Sequence, residues 1–341
     1  MQKYGVYTLA NDVVFDQLVA LLNSIEANVS SEIPICVIPY NNHLDKVKQE
    51  LETRPNVTLF DNQESLQRWE NFAHQVWASA LGGNQPKIAS LVASRKRMQR
   101  RYAAFDGDFE KFVVYDADSL AMKPLTKVFE KLSTYDFVFD DWEHKKTGNT
   151  TALKLDLVKQ SGKFSGEEIN SRLHCASFFG SKYSTINQKQ QSAMLKRLIK
   201  AKEVKWLNGI SEAFLFNYMT LDKEYSLYNF TLSSDGKDKT GNCTVDPFVN
   251  IDNVLYNQQG LKPIHRLHFM DYPASDFAHL SQGKNVGIPY QDIFLHYRFL
   301  KNPDQKPKKL KSMGLLERNS KKLRKMLQKQ KARLSRKFSN I

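Results

Sequence analysis

The apolar positions along the chain change period several times, and each change marks an element. Residues 4–10 form a short, almost continuous apolar run, which predicts a buried strand. Asn11-Asp12 follow as a helix start, and Val14, Leu18, Leu21, Leu22 and Ile25 then recur at helical spacing over residues 13–27. Residues 34–39 (Pro-Ile-Cys-Val-Ile-Pro) read as a second buried strand with prolines at its ends, 45–52 as a helix, and 57–60 as a third strand. Residues 69–81 look helical and stop at Gly82-Gly83, and residues 86–105 read as a long basic helix feeding the apolar run Phe112-Val113-Val114-Tyr115. Strands alternating with helices predict an α/β fold with a mostly parallel, Rossmann-like sheet flanked by helices.

The second half is less regular. A helix to about residue 132 and a strand over 135–142 that ends in Asp140-Asp141 are followed by an irregular stretch at 162–170. A short strand at 176–181 comes next, then helices over 188–202 and 211–218. Residues 225–269 are rich in loops and short strands. A Pro- and Lys-containing linker, 301–309, precedes a tail, 310–341. In the tail Leu316, Leu323, Leu327, Leu334 and Phe338 share one helical face and lysines and arginines cover the rest.

Charge sharpens this division. The net charge is +14, yet 15 of the 50 basic residues and only Asp304 and Glu317 of the 36 acids lie after residue 300. The body is therefore close to neutral, which argues against nucleic-acid binding by the chain as a whole. A basic amphipathic tail with one aromatic, Phe338, lacks stacking groups for nucleic acid and is expected to lie on an anionic membrane surface. The 41% hydrophobic content excludes a disordered chain. Cys36, Cys175 and Cys243 give neither a disulfide framework nor a zinc knuckle. The N-terminal apolar run is too short for a signal peptide, and no segment reaches the roughly 18 apolar residues of a membrane span. The expectation is a cytoplasmic protein, peripheral on the inner face of a membrane.

Asp116 and Asp118 carry the candidate chemistry. They end the strand at 112–115 and project from one face about 7 Å apart. Adjacent carboxylates repel unless a cation joins them, and the C-terminal edge of an open α/β sheet is where ligands bind. Three readings follow. Mn²⁺ or Mg²⁺ on the pair would clamp the diphosphate of a nucleotide sugar and offset charge on the leaving group. Alternatively Asp116 is the nucleophile of a haloacid-dehalogenase-type phosphatase and Asp118 its acid/base. In the third, both are solvated acids on a non-catalytic nucleotide-sugar- or membrane-binding module. Position disfavours the phosphatase, whose Asp pair ends the first core strand; here about three βα units precede Asp116.

The succession Gly5 to Asp12, Ile35 to Tyr40 and Phe112 to Asp118 resembles GT-A-fold glycosyltransferases, most of all glycosyltransferase family 8 (glycogenin and galactosyltransferase-like). The resemblance spans roughly residues 4–300 and implies a metal-dependent enzyme. The enzyme would transfer a sugar from a nucleotide sugar, UDP-linked, to a glycan or lipid-linked acceptor. Residues 1–125 would form its nucleotide-binding half and 126–300 its acceptor half. It implies that Thr8, Leu9, Ala10 and Asn11 cradle the nucleoside, that Arg100 or Arg101 contacts the donor, and that Asp116 and Asp118, with Ala117 between them, bind metal and donor. The third metal ligand is implied in residues 263–273, where His268 fits better than His265. Asp271 stands where the family has glycine and no Lys-Pro-Trp follows, so the diphosphate contact is unassigned, with Arg266 a candidate. Glu212 matches the segment beneath the anomeric carbon, and equally fits a helix N-terminus. Asp140 and Asp141 are candidates for sugar hydroxyls and Ser177 for the acceptor loop. Asp235, Asp246, Asp252 and Asn253 fit either substrate contact or turn chemistry.

Overall fold

The computed structural model describes residues 1–81, 92, 95–140, 152–232, 244, 246–258, 261–270, 272–312 and 314. Residues 82–91 (which hold the start of the helix predicted over 86–105), Asp141, Asp235, Cys243, Asp271 and the amphipathic tail from residue 315 lie outside the described residues. One seven-stranded sheet organises the chain. In chain order its strands are β1 (Gln2–Ala10), β2 (Ile35–Pro39), β3 (Val57–Leu59), β4 (Phe109–Asp116), β6 (Phe137–Phe139), β7 (Phe178–Lys182) and β8 (Leu227–Asn229). Their spatial order is β3-β2-β1-β4-β7-β6-β8. All pairs are parallel except those of β7, which runs antiparallel to both β4 and β6. The expected mostly parallel sheet flanked by helices is observed, with a single reversed strand.

Helices α1 (Phe15–Asn28) and α2 (Asp45–Glu52) connect the first three strands, and α3 (Gln63–Ala80) follows the third. Helix α3 begins six residues before the predicted start because Asn62 caps it, its side chain accepting from the Ser65 N–H at 3.0 Å. The predicted long α-helix before β4 is instead, over Lys96–Asp106, a 3₁₀-helix. The stretch expected to be irregular at 162–170 contains a helix, Gly166–Arg172, opened by a reciprocal capping box between Ser165 and Glu168. The remaining helices are Thr126–Lys131 (α4), Leu155–Gln160 (α5), Gly166–Arg172 (α6), Gln188–Lys200 (α7), Glu212–Thr220 (α8), Ala274–Ser281 (α9) and Gln291–Arg298 (α10).

Aromatic packing fills the face of the sheet under α3 and the 3₁₀-helix, where Trp69, Trp77, Tyr102, Phe105, Phe112 and Phe179 are fully buried. Aliphatic side chains of α1 fill the other face. Strand β1 pairs with β4 in parallel register, and the Phe109 ring packs over Gly5, where a Cβ would stand 2.3 Å from it. That alignment sets Leu9 beside Asp116.

Three small pairs complete the fold. Strand β5 (Ser119–Ala121) pairs antiparallel with β11 (Arg266–His268), and β9 (Phe248–Ile251) with β10 (Val254–Asn257). Asp252 and Asn253 form the β9–β10 turn, both with positive φ (50° and 67°), which identifies them as turn residues. Beyond the segment read as a linker, β13 (Lys311–Ser312) pairs with β12 (Lys284–Asn285), so the chain at 311–312 is held against the body. Among the described residues no helix is long and apolar enough to cross a membrane.

Candidate metal centre and donor cleft

Two registers assemble the site. Leu9 of β1 faces Asp116, so β4 ends where the chain leaves β1. The chain then turns through Ala117-Asp118 into β5, where Ser119 pairs with His268, and the Phe269 N–H donates to the Asp118 carbonyl at 2.9 Å. This zipper sets His268 against the aspartates although 150 residues separate it from Asp118. His268 Nε2 lies 3.3 Å from Asp118 Oδ1 and 3.8 Å from Asp116 Oδ2. One ligand atom from each of the three residues falls within 4.8 Å of the others, so the group could hold a metal ion. Two carboxylates and one imidazole suit a hard-to-borderline divalent cation.

Arg101 closes the other side. Its side chain is 2% exposed, and the 3₁₀-helix aims it at three acceptors: Asp116 Oδ1 at 2.7 Å, Glu212 Oε1 at 3.0 Å and the Ala176 carbonyl at 3.1 Å. Glu212 opens α8, and Tyr102 Oη donates to the same Oε1 at 3.4 Å. Burial pushes the Asp116 carboxyl above its ordinary value, and Arg101 only partly opposes that. Glu212 is raised for the same reason, again with Arg101 opposing. Burial pushes Asp118 upward too, but His268, a backbone hydrogen bond and the Arg266 charge together hold Asp118 below its ordinary value. The two aspartates are thus unequal.

A buried polar layer backs the site. Arg266, fully buried, donates from Nη2 to Ser177 Oγ at 3.0 Å and lies over the Phe178 ring. It therefore points into the protein from β11 and does not line the cleft. His265 Nδ1 lies 3.0 Å from Asp140 Oδ2, both side chains almost wholly enclosed. The two histidines face different partners: His268 turns to the aspartates and His265 to Asp140. Ser177 acts through its backbone as well, its carbonyl accepting from the Asp116 N–H at 3.0 Å. Ser177 is buried and outside the cleft lining.

The cleft in front of the site encloses about 500 Å³. Of the residues expected there, Leu9, Ala10, Asn11, Arg101, Asp116, Ala117 and Asp118 line it. Thr8 does not: it is fully buried, on the opposite side of β1 from Leu9. Arg100 does not either, because Glu70 at 2.5 Å and the Pro39 carbonyl at 2.9 Å hold it against α3 and β2. Asn11 caps the turn into α1, its Oδ1 accepting from the Val13 N–H at 3.1 Å. Tyr40, Asn41, Gln17, Met98 and Tyr272 also line the cleft and were not anticipated. Tyr40-Asn41 directly follow β2, so the rule that ligands sit beyond the carboxyl ends of parallel strands would have found them. His174 is structural: its ring stacks on Phe139 at 3.8 Å, contacts Thr220 Oγ1 at 2.7 Å, and is pushed by burial down to about 3.

No family model and no curated protein matches the chain. Solved structures do. The bifunctional glycosyltransferase WbbM, in its apo form, aligns with a TM-score of 0.48 and 11% identity over 87% of this chain and 50% of that one. The galactosyltransferase LgtC, in complex with donor and acceptor sugar analogs, aligns at 0.47 and 11% over 92% and 99%. Mouse xyloside xylosyltransferase 1, in its apo form, aligns at 0.45 and 7% over 67% and 84%. The chain thus spans half the length of WbbM and nearly all of LgtC. All three are glycosyltransferases.

Proposed function

We propose that this chain is a metal-dependent glycosyltransferase that takes a sugar from a nucleotide-sugar donor, UDP-linked, and passes it to a glycan or lipid-linked acceptor. One observation carries the reading: Asp116, Asp118 and His268 converge, and the two aspartates line a roughly 500 Å³ cleft at the carboxyl ends of β1, β2 and β4. Asp116, Asp118 and His268 would hold the ion, and the imidazole favours Mn²⁺ over Mg²⁺, which keeps to oxygen ligands. When bound, the ion would neutralise charge on the donor's diphosphate as the sugar bond breaks. The chain's own groups do the rest. Leu9, Ala10 and Asn11 offer a strand edge to the nucleoside, and Tyr40 an aromatic face to its base. Arg101 bridges Asp116 and Glu212, and Glu212, 12% exposed at the start of α8, would be the carboxylate nearest the transferred sugar.

Phosphate-ester hydrolysis with Asp116 as nucleophile fits less well, because Arg101 engages Asp116 Oδ1 at 2.7 Å. The tail supplies the cellular setting in this reading: its basic amphipathic pattern would dock the enzyme on the anionic inner face of a membrane, beside a lipid-linked acceptor. The test is Mn²⁺-stimulated release of UDP from a panel of UDP-sugars. Asp118→Ala abolishes release while the circular dichroism spectrum is unchanged; undiminished release by that variant would overturn the reading.

A further inference from the structure

Helices α3 and α7 pack side by side, away from the donor cleft, and leave a groove of about 390 Å³ between them. Gln67, Asn71 and Gln75 recur every four residues and so share one face of α3; Gln188, Gln191 and Ser192 share one face of α7. Five carboxamides and a hydroxyl thus line one groove. The row on α3 is partly ordered already, with Gln67 Nε2 donating to Asn71 Oδ1 at 2.8 Å.

Two donors in this groove lack partners among the described residues. Gln191 is 5% exposed, and its Nε2 is buried with no hydrogen-bond partner among the described residues. Arg68 lines the same groove and its Nε is likewise buried and unpartnered. A buried donor left unsatisfied is unfavourable, so a rotation of the Gln191 amide that brings Nε2 to an acceptor in the groove is favoured.

Charge and shape narrow the ligand. The Arg68 guanidinium is paired with Asp106, so its charge is compensated, and Glu64 is the one other charged residue of the lining. Nucleic acid and anionic lipid need several free cations, which this lining lacks. An added peptide strand would need a free sheet edge, and the walls here are helices. A neutral sugar matches: each hydroxyl both donates and accepts, each carboxamide does the same, and Phe72 and Leu195 give an apolar floor for sugar C–H groups.

We propose that the α3–α7 groove is a binding site for a neutral oligosaccharide, with Gln191 Nε2 donating to a sugar hydroxyl. Its use in catalysis, retaining the distal part of a growing acceptor, rests on the transferase reading; binding itself does not. The test is saturation-transfer NMR and calorimetry on the full chain, without Mn²⁺ or donor, against neutral gluco-, galacto- and manno-oligosaccharides, a sulfated glycan and a single-stranded RNA. At least one neutral series binds, with an affinity unchanged between about 0.05 and 0.5 M salt. Gln191→Leu and the exposed-site variant Asn71→Ala each weaken it about tenfold or more, while donor hydrolysis stays within about twofold of wild type. Binding of no neutral glycan overturns the proposal, as does binding that both variants retain, binding displaced by UDP with Mn²⁺, or a preference for sulfated glycan or RNA. Glycan binding without donor hydrolysis would instead refute the transferase reading and leave the groove intact.

Discussion

Replacing Arg101 by methionine removes a buried charge while keeping most of the stem. In the native protein that guanidinium is 2% exposed and bridges Asp116 at 2.7 Å and Glu212 at 3.0 Å. Removing one partner of a buried ion pair costs about 3–5 kcal/mol, because the other charge is left enclosed. At about 2.1 cal/mol/K of unfolding entropy per residue, a chain of 341 residues loses roughly 4–7 °C of Tm for that change. The pH dependence has a definite sign. Asp116 and Glu212 both have folded-state values raised above their ordinary ones, so each is harmless while protonated and destabilises as pH climbs through its folded value. Without Arg101 both rise further. The deficit of the variant is therefore large at pH 8 and shrinks toward pH 5, and Mn²⁺, a substitute cation, recovers part of it. Differential scanning calorimetry of Arg101→Met and wild type at the two pH values, with and without Mn²⁺, measures all of this. A Tm drop below about 1 °C, or one equal at pH 5 and pH 8, would refute the role given to Arg101.

Three further outcomes are expected. Asp118→Asn removes the stabilisation that Mn²⁺ gives the wild-type protein in a thermal-shift titration; an undiminished shift would place the ion elsewhere. Glu212→Gln lowers kcat for donor turnover about a hundredfold with KM little changed, whereas equal loss of stability and activity would reduce Glu212 to a structural role. Asp140→Asn loosens His265, and with it β11, so Mn²⁺ affinity measured by electron paramagnetic resonance falls about 10–100-fold although Asp140 touches no ligand; unchanged affinity would sever that link.

Much of this arrangement is legible in the residue pattern, and the failures have physical causes. The apolar run before Asp116 identifies a buried strand, and the helix at Asp45–Glu52 follows from its amphipathic spacing. The basic segment before β4 misleads because apolar residues three and four apart suit both α and 3₁₀ geometry; the difference decides that Arg101, and not Arg100, turns to the site. Thr8 misleads because β1 is buried on both faces, and a strand without polar alternation does not announce which side chains face the ligand. The helix at Gly166–Arg172 hides behind Gly and Ser, although Ser165 and Glu168 stand at capping-box spacing. His268 joins the aspartates through the β5–β11 register, a long-range pairing that no local pattern encodes.

Calorimetric titration of the wild-type protein with UDP-sugars, with and without Mn²⁺, bears most directly on the proposed activity. At least one UDP-sugar binds, at least about tenfold more tightly with Mn²⁺ than without, and His268→Ala removes that difference. Equal affinity with and without Mn²⁺, or no binding of any UDP-sugar, would contradict the assignment of Asp116, Asp118 and His268 as the clamp on a sugar-nucleotide donor.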